Sequence, residues 1–378
     1  MSTTEAISQD EAFSRIRLLR SPHIGPVSYI QLLRRFGSGA AALEALPELA
    51  GRAGRKYVAA SIGRVQDEIA AMRKSGARYL FHDSQDYPEA LQTSDGAPPI
   101  LTWRGDIGQA HKPCVAIVGA RNASAAALRL ARELALELSE AGFVVVSGLA
   151  RGIDGAAHRG ALAATCGAGT VGVIASGIDV SYPPEHADLQ EQIALEGLLL
   201  AEQPCGTEPL ARHFPTRNRI IASLCSGTVV VEAAPKSGSL ITARLAGEMG
   251  REVMAIPGSP LDPRSQGCNQ LIRDGAILVQ NAGDVMELLR DFSGRPRGVV
   301  REPETVWTTM DENEGRGLGD NHASSSVNAL LGGAPVAIDE LIRQSGANAG
   351  DVQMALLELE LAGRLVRHAG GRVSLLDS

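Results

Sequence analysis

Between residue 115 and about residue 290 the chain repeats one pattern. Short apolar runs recur: "VAIVGA" from Val115, "FVVVSGLA" from Phe143, "TVGVIASG" from Thr170, "GTVVVEAA" from Gly227, "EVMAIPGS" from Glu252 and "AILV" from Ala276. Many end in Gly or Ser, and most are followed by an Ala/Leu-rich stretch of helical character. A strand that is apolar along its whole length has both faces covered, and strands alternating with helices make a parallel sheet. The pattern predicts an α/β fold, a Rossmann-like doubly wound, mostly parallel sheet whose ligands lie at the C-terminal ends of the strands. Aromatic residues are only 3% of the chain against 44% hydrophobic, so the core has to be built from Ala, Leu, Val and Ile.

The flanking sequence differs in character. Residues 1–72 place apolar residues at helical spacing on both sides of a "HIGP" turn, His23 to Pro26, which predicts a small N-terminal helical domain. Such a hairpin can offer backbone amides to a DNA phosphate, although most are packing modules. Turn signals and one or two strands precede the repeating pattern, so the central domain is expected over 73–291. Residues 292–326 are polar, acidic and Gly/Ser-containing and are expected to be a linker. Residues 327–378 carry three helical patterns and a Gly-Gly hairpin, the outline of a winged helix. Its third segment, "DVQMALLELELAG", is acidic, which argues against phosphate contact and leaves a protein-interaction role at least as well supported.

The formal charge of -7 excludes a generally basic nucleic-acid binder but not a local basic patch. No run approaches the ~18 apolar residues of a membrane helix, and the polar start "MSTTEAISQDEAF" does not resemble a signal peptide. The expected location is the cytoplasm, with no membrane partner. The five cysteines (114, 166, 205, 225 and 268) show no metal-ligand spacing and read as small buried hydrophobes; neither a metal nor a cofactor is expected.

Four strand-to-helix turns carry the chemistry. In "VGARNAS" the dinucleotide fingerprint is missing: after Gly119 come Ala120, Arg121 and Asn122, with Ser124 before the helix. Alone, the segment reads as an ordinary turn able to hold one phosphate at a helix start. In "SGLARGIDGAAHRGAL", Arg151 lies between Gly148 and Gly152, a second anion-binding turn. Asp154 and His158 are four apart, and with no nucleophile nearby they read as a hydrogen-bonded pair bracing the turn rather than an acid/base dyad. "HFPTRNRIIA" starts a helix with Phe214, Arg217, Asn218 and Arg219; "EAAPKSGSL" follows with Lys236, Ser237, Gly238 and Ser239. "IPGSPLDPRSQGCNQLIRDGA" adds Ser259, Asn269 and Arg273. All four turns should open on one sheet edge, giving a cationic rim on an acidic protein. One phosphate needs one such turn; a row of them fits a polyanion, and Phe214 offers a face on which a base can stack. That combination favours single-stranded over duplex nucleic acid. Arg217 and Arg219, two apart, cannot share a helix face, and Arg217 is the expected phosphate contact.

These ordered motifs, with "GVIASGIDVSYPPEH" and the Tyr87-Pro88…Pro98-Pro99 pattern upstream, resemble the DNA processing protein A (DprA, Smf) family from about residue 115 to 290. The resemblance implies a non-enzymatic, homodimeric single-stranded DNA-binding protein that loads the RecA recombinase onto incoming DNA during natural transformation. It implies that Arg121, Phe214, Arg217, Asn218, Arg219 and Lys236 lie in the DNA-binding pocket, and that the flanks are a helix-hairpin-helix-like region and a winged-helix extension. One departure is local: the family often has Tyr-Gly after the serine, and this chain has Ala125, Ala126 and Ala127. Two other readings remain at this level. A Rossmann-like nucleotide hydrolase or phosphoribohydrolase carries a loop that "CSGTVVVEAA" faintly resembles, and a structural adaptor would act through its winged helix.

Overall fold

The computed structural model describes residues 7–52, 56–94, 96–291, 293–296, 298, 326–368 and 370–376. The expected linker falls almost wholly outside the described residues. Within the described chain, helices α1 (Gln9–Leu19), α2 (Pro26–Phe36), α3 (Gly39–Arg52) and α4 (Ile62–Lys74) come first. They lead to β1 (Arg78–Phe81), α5 (Glu89–Gln92) and β2 (Ile100–Gly105). Alternation then begins with β3 (Cys114–Val118), α6 (Ala125–Glu140), β4 (Val144–Ser147), α7 (Ile153–Leu162) and β5 (Thr170–Gly177). It continues through α8 (Ala187–Glu196), β6 (Leu198–Gln203), α9 (His213–Leu224), β7 (Gly227–Val230) and α10 (Gly238–Glu248). β8 (Glu252–Ala255), α11 (Gln266–Arg273), β9 (Ile277–Leu278) and α12 (Ala282–Leu289) complete it.

All nine strands form one sheet in the order β1-β2-β6-β5-β4-β3-β7-β8-β9. β6 through β9 pair in parallel, while β2 joins β6, and β1 joins β2, antiparallel. The six apolar runs of the sequence are β3, β4, β5, β7, β8 and β9; the seventh parallel strand, "LLLAEQ", was not singled out. Successive residues of a strand face opposite sides, and the packing follows that rule. Val115 and Ile117 pack with Leu134 of α6, Ala157 of α7 and Val285 of α12. Ala116 and Val118 pack with Ile220 and Ile221 of α9, Ala243 of α10 and Cys268 of α11. The sheet is therefore doubly wound, and the order reverses at β3, which has β4 on one side and β7 on the other. In such sheets the crevice at the C-terminal ends of the reversing strands is the ligand site.

The described chain separates into two compact units, one from residue 67 to residue 298 and the other joining residues 7–66 with 326–376. In the second unit α1 to α3 bury Ile16, Leu18, Tyr29, Leu32 and Leu46. Gly25 and Pro26 open α2, and Gly37, in the left-handed region, closes it. The C-terminal part of this unit consists of α13 (326–330), β10 (Val336–Ala337), α14 (Ile338–Ser345), α15 (Ala349–Leu361) and a hairpin of β11 (Leu365–His368) with β12 (Arg372–Leu375). The acidic segment is α15: it packs on α3, where Glu358 is buried 3.5 Å from Arg52, and meets α2, where Gln353 accepts from Gln31 at 2.7 Å.

Two sequence expectations need correction. Cys114, Cys225 and Cys268 are buried, but Cys205 is half-buried and Cys166 exposed. Asp154 and His158 both lie inside the fold without bracing each other. The Asp154 carboxylate accepts from the Gly148 and Ala150 amides at 3.2 and 3.4 Å, whereas His158 Nδ1 meets Thr170 Oγ1 at 2.8 Å. Thr170 spends its own proton on the Val145 carbonyl at 2.6 Å, so it accepts from His158. Both residues lie in α7, but each is drawn to a different strand end.

Candidate nucleic-acid interface

The turns after β3, β4 and β7 and the start of α9 are locked together by contacts only glycine permits. A Cβ on Gly119 would stand 2.6 Å from Ile153 Cγ1 and 3.0 Å from the Glu232 carbonyl oxygen. The end of β3 therefore lies directly on α7 and on the end of β7, and Ala120 N donates to the Glu232 carbonyl at 2.6 Å. Gly152 has φ 75°, and a Cβ there would be 2.2 Å from the Ala120 carbonyl oxygen, so the turn after β4 closes against the turn after β3. Gly148 is the most constrained: a Cβ would be 1.1 Å from Arg217 Nη1. The guanidinium of Arg217, carried by α9, occupies the space where any other side chain would begin.

Arg217 is buried, 3.9 Å from Asp154 Oδ2, and donates to the Val173 carbonyl at 3.4 Å. Burial lowers its pKa; the Asp154 charge opposes that shift and the Arg121 charge adds to it. Burial raises Asp154, with Arg217 and the two amides pulling it back. The pair is a buried dipole beneath the surface, with the guanidinium as its positive end. Above it lies Phe214, with Arg121 Cζ 4.8 Å and Arg217 Cζ 6.0 Å from the ring centroid and the Tyr182 ring 5.9 Å away at 60°. Cations at these distances over a ring face are attracted to it.

Two cavities of about 330 and 430 Å³ meet at Arg121, Asn122, Ala150, Phe214 and Arg217, so they are lobes of one cleft. The smaller lobe adds Gly148, Arg151 and Tyr182; the larger adds Gly119, Asn218, the turn from Pro235 to Ser239, and Arg264. Lys236 is exposed and holds φ 65°, which turns the chain so that Ser237, Gly238 and Ser239 enter α10 at the cleft wall. Ser237 and Ser239 hydroxyls lie 2.8 Å apart, and Asn218 Nδ2 donates to the Gly238 carbonyl at 3.3 Å. Arg121 and Lys236 make no salt bridge among the described residues, whereas Arg151 pairs with Glu185 and Arg264 with Asp262.

Three expected site residues are otherwise engaged. Arg219, two positions beyond Arg217, points to β6 and pairs with Glu202 at 2.5 Å, away from the cleft lining. Asn269 clasps its own loop, donating to the Gly258 carbonyl at 2.9 Å and accepting from its amide at 3.1 Å. Ser124 lies at the cleft's edge with its polar atoms used: its hydroxyl caps α6 by accepting from Ala127 N, and its amide donates to Glu232 at 2.8 Å. Sequence reading missed Tyr182 and Arg264. Tyr182 lay inside a quoted motif and Arg264 beside Asn269, but nothing in the spacing marks either as facing the cleft. Among the described residues no cluster of His, Cys, Asp or Glu could hold a metal ion, and no helix is long and apolar enough to cross a membrane.

Family profiles of one kind match along the chain. The profile of the family described as DNA recombination-mediator protein A matches residues 78–290. A DprA-like N-terminal HHH domain matches residues 9–71, and a DprA winged helix domain matches 319–371. The chain is 31% identical to Protein Smf of Synechocystis over 92% of its length and 95% of that protein. It is 46% identical to DNA processing protein DprA of Streptococcus pneumoniae over 53% of its length and 70% of that protein. Among solved structures, that of Streptococcus pneumoniae DprA aligns with a TM-score of 0.61 and 34% identity, covering 75% of this chain and 98% of that one. DNA processing protein A of Helicobacter pylori, studied for its single-stranded DNA binding mode, aligns with a TM-score of 0.51 and 30% identity over 57% of this chain and 97% of that one.

Proposed function

The chain belongs to the DNA recombination-mediator protein A family, and from that premise we propose that its cleft binds single-stranded DNA. The observation that carries the reading is the group formed by Arg121, Phe214 and the buried Arg217, walled by the Gly148–Gly152 and Lys236–Ser239 turns. Phosphates take Arg121, Lys236 and the amides of the small-residue turns; Arg151 joins by exchanging Glu185 for a phosphate. A base stacks against Phe214 or Tyr182, a contact worth about 1–3 kcal/mol. Arg217 acts from below: it holds Phe214 through the cation–ring contact while remaining paired with Asp154. The direct contact expected of Arg217 thus passes to Arg121.

The hydrolase reading finds less support. Of the carboxylates at the cleft, Asp154 is buried and accepts from backbone amides, while Glu185 and Asp262 are held by the lining residues Arg151 and Arg264. A general base for hydrolysis must be free to take a proton from water, and each of these carboxylates is already engaged. Loading of RecA, a role in natural transformation, homodimerisation and a cytosolic location follow from the family resemblance, and we propose them on that ground.

The test is fluorescence anisotropy with labelled oligo-dT and a duplex of equal length at two salt concentrations. Single strands should bind more tightly, with affinity falling steeply as salt rises. Arg121→Ala and Lys236→Ala should each weaken binding about tenfold, the loss of one charge-assisted contact. Equal affinity for duplex, insensitivity to salt, or turnover of a nucleoside monophosphate overturns the reading.

A further inference from the structure

A second groove, of about 550 Å³, runs between α6 and α7. Its walls carry three arginines given no role above: Arg129 and Arg132 from α6, and Arg159 from α7. Arg129 and Arg132 are three apart and so share one helix face. The Arg159 guanidinium lies back along its own helix, where a Cβ on Gly155 would come within 3.1 Å of Nη1. All three are exposed. Arg129 reaches Glu133 at 3.7 Å with both side chains mostly in water, a pair that neutralises little. Arg132 and Arg159 make no salt bridge among the described residues. The floor between them is apolar, formed by Leu128 and Ala156.

This groove is continuous with the cleft, because Arg121 and Asn122 line both. A chain of net charge -7 that gathers uncompensated cations along one groove makes a local field that only an anion satisfies. The apolar floor suits a flat unpaired base, which a duplex cannot present. We propose that the α6–α7 groove is a second single-strand subsite. A strand leaving the cleft past Arg121 lays its phosphates on Arg132, Arg159 and Arg129 and rests a base on Leu128 and Ala156. The proposal rests on the cleft reading and extends the footprint of the strand from the sheet edge onto the helical face.

A length series of oligo-dT, from roughly 4 to roughly 16 nucleotides, separates the two subsites. The double variant Arg132→Ala/Arg159→Ala should match the wild type on the shortest oligonucleotide, which fills only the cleft. On the longest it should bind at least tenfold more weakly, with a salt slope shallower by about 1.4, the share of two phosphate contacts to a single strand. Arg132→Lys/Arg159→Lys, which keeps both charges, should recover most of the length dependence. Unchanged melting temperatures confirm that these exposed changes leave the fold intact. A double variant that tracks the wild type at every length overturns the groove alone, provided Arg121→Ala still weakens all lengths. Equal loss at every length also overturns it, and a wild-type chain that binds no oligonucleotide overturns groove and cleft together.

Discussion

Gly148 and Arg217 show how one residue's absence of a side chain positions another's charge. Because a Cβ at position 148 would fall 1.1 Å from Arg217 Nη1, Gly148→Ala must expel the guanidinium and leave Asp154 buried without its cation. Breaking a buried pair from one side costs about 3 kcal/mol, so the denaturant midpoint should drop accordingly. Oligonucleotide affinity should fall with it, since Phe214 loses one of its two flanking cations. His158 makes a different residue-level prediction. Burial, with His186, Arg217 and Arg159 nearby, pushes its pKa down to about 3. Below an unfolded value near 6.5 the unfolded chain takes up a proton that the folded chain refuses. Stability due to this group is complete above about pH 6.5 and falls by about 1.4 kcal/mol per unit as the pH drops towards 3. Replacing His158 by Gln should flatten that slope in pH-dependent urea melts, and an unchanged slope would show that other groups set it.

At the level of elements, α6 and α10 enter the cleft by different devices. Ser124 caps α6 with the bond a helix start requires, so Ser124→Ala should cost about 1 kcal/mol in thermal or urea melts. Its hydroxyl is already committed to Ala127, and single-strand affinity should change little. The turn into α10 places Lys236 at φ 65°, a left-handed conformation that costs a side chain about 1–2 kcal/mol. Lys236→Gly should relieve that strain and melt no lower than Lys236→Ala, while both lose the same affinity. If the glycine variant kept wild-type affinity, the backbone amides and not the ammonium would hold the phosphate. The strain is located where the cation must overhang the cleft, a pattern common at binding sites.

For the whole molecule, every cleft and groove residue comes from the unit spanning residues 67 to 298. That fragment, expressed alone, should retain the single-strand affinity of the full chain within about tenfold by anisotropy, a 1.4 kcal/mol margin. A larger loss would place DNA contacts on the other unit. In that unit α15 buries Glu358 against Arg52 of α3. A winged helix reads DNA by laying its third helix in the major groove; here that helix is acidic and partly spent on packing. The net charge of -7 acts over the whole surface, so the cationic rim works locally, and salt should weaken binding faster than the overall charge implies.

The sequence by itself determined the strands, because a run such as "VVVS" or "CVAIV" with no polar face can be stable only between two helical layers. It determined the glycines and cations of the site for a similar reason: a strand must turn sharply to reach its covering helix, and the turn residues declare themselves. Tertiary structure decided where each cation ended. Arg217 and Arg219 are chemically alike and two positions apart, yet one lies over Gly148 beside Asp154 while the other meets Glu202 on β6. Asn269 turned back on its own loop, Tyr182 came in from the turn after β5, and Arg129, Arg132 and Arg159 met across two helices. Local spacing records which face of an element a residue occupies. Which carboxylate, ring or backbone amide stands opposite depends on strand order and helix crossing, and these bring together residues more than a hundred positions apart, such as Ser124 and Glu232.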